Sequence, residues 1–353
     1  MIIDGLQYAN WSPKIFRQMR EGGVDAVHVT IAYHENFRET VQNIERWNRW
    51  FEQLPELICP ARSGDDVRAA KAAGRTAIIF GFQNCSPIED DIGLVEIVHT
   101  LGARFMQLSY NNQSLLATGC YESEDPGITR MGRQVIAEMN RVGLVIDMSH
   151  SAERSTLEAI EISERPIAIT HANPAFWYPA LRNKSDSVLR ALAQSGGMIG
   201  FSLYPHHLKG KSDCTLESFC GMVARCAEIM GVERLGIGSD LCQDIRTAPS
   251  NGCGPAAGPR KSITAKGPGT RLDFLRCRHG LATTGISETS KRDSRPLASM
   301  STASQQSWVG IGWIFMIAVS ARNAAEMPAA RKWLPNSQRH TGPQTRGRIH
   351  NKR

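Results

Sequence analysis

Eight short apolar segments, each bounded by turn residues, recur along the first two thirds of this chain. They are MIID (1–4), AVHVTIAY (26–33), AIIFGF (77–82), RFMQLSY (104–110), LVIDMSH (144–150), PIAITH (166–171), MIGFSLY (198–204) and RLGIGSD (234–240). Amphipathic helical stretches lie between them: SPKIFRQMREGG, DDVRAAKAAG, GRQVIAEMNRVG, SVLRALAQSGG and LESFCGMVARCAEIMG. In the first of these Ser12 is placed to cap, Pro13 fits the opening turn and the glycines end the helix. Eight strands alternating with helices predict an α/β fold, a (β/α)8 TIM barrel, with functional groups at the C-terminal ends of the strands. A doubly wound open sheet is the alternative, although no GxGxxG follows an early strand.

The rhythm stops near Ile245. Of the last 109 residues, 65 are Ala, Arg, Gly, Pro, Ser or Thr, and 18 basic residues face four acids there, a net of +14. Residues 1–244 carry a net of −7, so the overall +7 describes neither part. The expected organisation is a barrel over 1–244 followed by an irregular, low-complexity basic tail over 245–353. Three readings of that tail stand side by side. It is a basic extension for an acidic partner, a disordered segment, or an off-frame translation of a GC-rich gene; the last is placed first. The arginines form no stripe and no aromatic pattern accompanies them, so nucleic acid is not an expected partner.

The compartment is read from three features. MIIDG has neither the basic flank nor the apolar core of a signal peptide. The longest apolar run, Trp308 to Val319, has 12 residues, too few to span a bilayer. Nine cysteines without CxxC spacing suggest a reduced, cytoplasmic protein. No membrane partner is expected, and a homodimer is left open.

Three strand ends carry chemistry. VIDMSH ends in His150, AITH in His171 and GIGSD in Asp240. Each alone reads as an ordinary hydrogen-bonded residue, but barrel topology brings all three to one rim, as a metal or acid–base group requires. Arg182, in the loop after the sixth strand, offers the fork that grips a carboxylate; its bland reading is a surface ion pair with Asp186. Gln83 and Asn84 follow the third strand, and Tyr110 and Asn111 the fourth. These suit hydrogen bonding to a small polar ligand or to one another's backbone. Cys120 and Glu122 sit on a loop placed to fold over the site. His34 and Glu35 follow the second strand, and His28, mid-strand, is expected in the core.

Taken together, GRQVIAEMNRVGLVIDMSHSA, PIAITHANP, LRNKSD, GGMIGFSLYP and RLGIGSD resemble the membrane (renal) dipeptidase family of zinc metallopeptidases, from Met1 to about Asp244. The resemblance implies a barrel related to the amidohydrolases and two zinc ions, bridged by a carboxylate and hydroxide, that cleave dipeptides. It also implies that His150 and His171 bind one metal, Arg182 holds the substrate carboxylate and Asp240 serves proton transfer. Other positions depart from the family pattern. Leu6 and Tyr8 stand where the first strand carries His-x-Asp, Gln83 matches the bridging glutamate, and Tyr110 matches a substrate-positioning histidine.

Leucine cannot bind zinc, and neutral tyrosine and amide are poor substitutes for carboxylate. The sequence therefore predicts a membrane dipeptidase-like metallohydrolase acting on dipeptides or small amides with a free carboxylate. Its altered site would hold one zinc at most, through His150, His171 and an open question over Asp240, with Tyr110, Asn111 and Gln83 against substrate. A repurposed, non-catalytic barrel that binds a small carboxylated metabolite is the alternative.

Overall fold

The structure is a computed structural model and describes residues 1–243. The tail expected over 245–353 lies outside the described residues.

Ten parallel strands form one curled sheet. In chain order they are β1 (Ile3–Ala9), β2 (Ala26–Ala32), β3 (Ile58–Pro60), β4 (Thr76–Phe82), β5 (Ala103–Gln107), β6 (Val145–Asp147), β7 (Ala168–Ala172), β8 (Met198–Phe201), β9 (Leu235–Ile237) and β10 (Leu241–Gln243). Eight helices intervene: α1 (Pro13–Glu21), α2 (Phe37–Gln53), α3 (Gly64–Ala72), α4 (Leu94–Thr100), α5 (Arg130–Val142), α6 (Glu153–Ile162), α7 (Asp186–Gln194) and α8 (Leu216–Met230). The strands pair in the order β10-β1-β2-β4-β5-β6-β7-β8-β9, with β3 beside β4. All eight anticipated strands are present; β3 and β10 are additions.

Burial on both faces explains why β2, broken only by His28 and Thr30, and β4 are mostly apolar, as expected of a parallel sheet under helices. The helices begin and end as their sequences dictate. The side chain of Thr129 accepts the Gly132 N–H at 2.9 Å to open α5, and Gly143, at φ +86°, closes it. Asn36 and Glu39 form a reciprocal capping box on α2. Ser12 departs from expectation: it occupies the cap position of α1 in an extended conformation, but its side chain makes no capping hydrogen bond. That helix is held by its buried face, Ile15, Phe16 and Met19, with Phe16 against Trp11, Trp47 and Trp50.

His28 lies in the core, as expected. Its Nδ1 is 2.7 Å from the Gly5 carbonyl and its ring stacks on Phe105 at 4.6 Å. Gly81 makes room for it, since a Cβ there would fall 1.9 Å from His28 Nε2.

At the ends of the strand order, Gln7 of β1 is in register with Leu241 of β10, while β9 pairs with β8. The segment joining β9 to β10 is tied back to β1. The Asp240 N–H donates to the Leu6 carbonyl at 3.0 Å, and Ser239 donates to the Asp4 carboxylate through its N–H (2.7 Å) and hydroxyl (2.5 Å).

Candidate active site

Two histidines meet at the C-terminal ends of adjacent strands. β6 stops at Asp147 because its buried carboxylate captures the next turn of chain, accepting the Ser149 N–H at 2.9 Å and the Ser149 hydroxyl at 2.5 Å. The backbone bends there, and His150 is delivered three residues beyond the strand rather than on it. His171 lies within β7, fully buried. Their Nε2 atoms are 3.0 Å apart, and Gln83 Oε1, from the first residue after β4, is 3.0 Å from His150 Nε2.

The surrounding bonds set the tautomers. The Thr170 hydroxyl donates to Asp147 Oδ2 at 2.6 Å, so it accepts from His171 Nδ1 at 2.8 Å. His150 Nδ1 faces Asn111 Oδ1 at 2.7 Å. The Gln83 amide nitrogen donates to the Thr30 hydroxyl at 2.8 Å, which aims Oε1 at the histidine. With both Nδ1 atoms donating, two imidazole lone pairs and an amide oxygen converge. Such a cluster is favourable with a cation, or a proton, among its members. Protonation is opposed. Burial holds both imidazoles well below their usual titration range, and the Arg182 guanidinium depresses them further.

These donors fit one cation. The Leu6 side chain is a fully buried hydrocarbon, and the Tyr110 ring lies flat on His150, with centroids 4.2 Å apart and planes at 27°. Among the described residues, no group of three or more His, Cys, Asp or Glu side chains is placed to hold a metal. Asp240 therefore does not join the histidine pair in such a group. It stands between β9 and β10 in a left-handed conformation, φ +55°.

Arg182 is buried, which rules out the bland surface pairing with Asp186. Its guanidinium donates to the carbonyls of Ser149 and His171, the latter at 3.2 Å, and so braces the backbone that carries both histidines. Arg182 and Asp240 both act electrostatically on Tyr121, whose phenol is pushed up mainly by burial. The loop bearing Cys120 and Glu122 does fold over this region. The Cys120 N–H donates to the His150 carbonyl at 2.8 Å, and Gly119 bridges Ser151. Glu122 accepts the Gln113 N–H at 2.8 Å.

Several participants were not anticipated. Asp147 and Thr170 fix His171, and an acid inside an apolar strand was the signal available for the first. Lys184, two residues after Arg182, is buried and spans the Met148 and Ser151 carbonyls at 2.8 and 2.7 Å. Burial, reinforced by Arg182, brings its ammonium down to about 7.

The sequence and the fold have counterparts among known proteins. A match to the family described as membrane dipeptidase (peptidase family M19) covers residues 13–251. The chain belongs to that family. Among curated relatives, dipeptidase TcpJ of Claviceps purpurea is 30% identical over 221 residues, 62% of this chain and 51% of that protein. Dipeptidase VerJ of Clonostachys rogersoniana is 28% identical over 223 residues, 62% of this chain and 57% of that one. The chain thus spans about half the length of the curated relatives it matches.

Among solved structures, an amidohydrolase from Pseudomonas aeruginosa is 38% identical with a TM-score of 0.68, over 69% of this chain and 75% of its own. A metallo peptidase from Rhodobacter sphaeroides, liganded with a phosphinate mimic of the dipeptide L-Ala-D-Ala, shares the fold. It is 19% identical, with a TM-score of 0.60, over 68% of this chain and 85% of its own. No helix among the described residues is long and apolar enough to cross a membrane.

Proposed function

We propose that this chain is a dipeptidase-type hydrolase of dipeptides or small amides with a free carboxylate, working with a metal site reduced to one zinc at most. The observation that carries the reading is the convergence of His150 Nε2, His171 Nε2 and Gln83 Oε1, with the Arg182 guanidinium bonded to the His171 carbonyl. The curled sheet is read here as a closed (β/α)8 barrel, β9 and β10 being two halves of its last strand. The Asp240 and Ser239 bonds to β1 support that reading.

His150 and His171, with the Gln83 carbonyl, would hold the ion. When bound, zinc supplies a polarised carbonyl and an acidified water. The protein's own groups do the rest. Arg182 uses the N–H groups not given to Ser149 and His171 to orient the substrate carboxylate. Tyr110 and Asn111 wall the substrate in beside His150, and Gln83 contributes a neutral edge where the family carries a bridging acid. Asp240 takes the proton from the attacking water and returns it to the leaving amine.

A second reading, a non-catalytic binder of a small carboxylated metabolite, draws on the same cations and on Leu6, Tyr8 and Gln83 in ligand positions. Metal analysis of the purified full chain, with a dipeptide hydrolysis screen, separates the two. The expected result is one equivalent of metal or less, turnover of dipeptides, and loss of both in His150→Ala and His171→Ala. Two equivalents of metal would reject the reduced site. Metal content and activity unmoved by both substitutions would reject the site assignment. No turnover, with thermal stabilisation by an amino-acid derivative, would favour the binder.

A further inference from the structure

Beside the histidine pair lies a cleft of which the proposed reaction engages only the Tyr110 wall. It measures about 570 Å³ and is lined by, among others, His34, Asn84, Glu89, Tyr110, Asn112 and Gln113. That volume falls in the range of small-molecule pockets and exceeds the needs of one long side chain. Tyr110 is the wall shared with the active site. One ring face lies on His150, and the His34 ring meets it edge-on at 5.4 Å and 88°. Asn84 and Asn112 are chain neighbours of Gln83 and Asn111, which touch His150, so the cleft and the histidines are parts of one surface.

The charges along that surface are ordered. The strand order β2-β4-β5-β6-β7 places cleft residues after β2, β4 and β5, His150 after β6, and Arg182 and Lys184 after β7. Glu89 carries the only carboxylate among the lining residues, and no lysine or arginine is among them. One of its oxygens accepts the Phe37 N–H at 3.1 Å. Further acids stand behind the lining. Glu35 accepts the His34 N–H at 3.0 Å, and Glu122 accepts the Gln113 N–H at 2.8 Å. One flank of the histidine pair is thus cationic and buried, the other acidic and open.

Along that strand order, a dipeptide with its carboxylate at Arg182 and its amide at His150 would bring its amino-terminal residue to Tyr110. We infer that the cleft is the subsite for that first residue, and that it selects a basic side chain, lysine or arginine. This rests on the substrate reading above, so the two need separable tests.

Binding of Lys-Leu and Glu-Leu to the purified full chain is measured by calorimetry at low ionic strength, where exposed charge is least screened. Release of leucine is followed in parallel. Lys-Leu is expected to bind more tightly by about threefold or more, the scale of a solvent-exposed ion pair. Glu89→Gln and Asn112→Lys should each lower that ratio by about threefold, with circular dichroism confirming that both variants fold. Equal affinities, no binding, or a ratio unchanged in both variants would overturn the subsite. Charge-selective binding without hydrolysis would keep the subsite and remove the hydrolase. Hydrolysis without charge preference would do the reverse.

Discussion

Leu6 occupies a position where the sequence registers only a missing ligand, yet its backbone has a task of its own. Its carbonyl accepts the Asp240 N–H, and its N–H donates to Asp4 at 3.2 Å. That a hydrocarbon stands at this position was legible in the letter L; the strand-to-strand tie was not, because any residue supplies a carbonyl. His28 teaches the converse. Its mid-strand place was enough to assign it to the core, and the structure shows its consequence. Burial lowers the imidazole to about 4, against the nearby Asp147 charge that favours protonation. The unfolded chain therefore binds a proton near pH 6.5 that the folded chain refuses until about pH 4. Stability contributed by the neutral ring is fully present above pH 6.5 and is lost as pH falls from there toward 4. Urea unfolding at pH 7 and pH 4.5 should show this drop, and it should be shallower in His28→Gln. An equal drop in both proteins would remove His28 from the account.

At the scale of elements, strands and helices were readable because apolar runs and helical periodicity survive in a parallel sheet under helices. What escaped were the places where side chains interrupt the pattern. Asp147 ends β6 early by binding Ser149, and β9 and β10 are divided at Gly238 to Asp240. Gly238 shows why that division needs its residue. A Cβ there would stand 1.6 Å from the Thr170 carbonyl oxygen, a backbone atom beside His171 that cannot swing away. Gly238→Ala should therefore destabilise the fold by about 3 kcal/mol. Gly221, exposed within α8 with nothing near its missing Cβ, is the control. Gly221→Ala should stabilise by about 0.5–1 kcal/mol. Denaturant midpoints of the two variants check both signs. Similar shifts would mean that close packing at Thr170 is not what holds the strand ends.

At the scale of the whole molecule, the sequence divides into two parts that differ in charge and in composition. The match to the M19 family ends at residue 251, shortly past the point where DLCQD gives way to IRTAPSNGCGPAAGPRKSITAKGPG. A domain with a net charge of −7 has no physical need for an abrupt change to +14 with four acids in 109 residues. A shifted frame in a GC-rich gene produces that enrichment in Ala, Arg, Gly, Pro, Ser and Thr without selection for any structure. We propose that the frame changes near Asp244, in the gene or its assembly. Reading the nucleotides downstream of that codon in the two neighbouring frames tests this directly. One of them should continue with an acidic and aromatic segment and then amphipathic helices of the kind that alternate with strands over residues 1–244. Neither doing so would sink the proposal and leave the basic segment as a genuine extension. A genuine extension that serves nucleic acid makes a different prediction. Its affinity would fall steeply with salt and vanish on deletion of 245–353, whereas an off-frame segment has no such partner to lose.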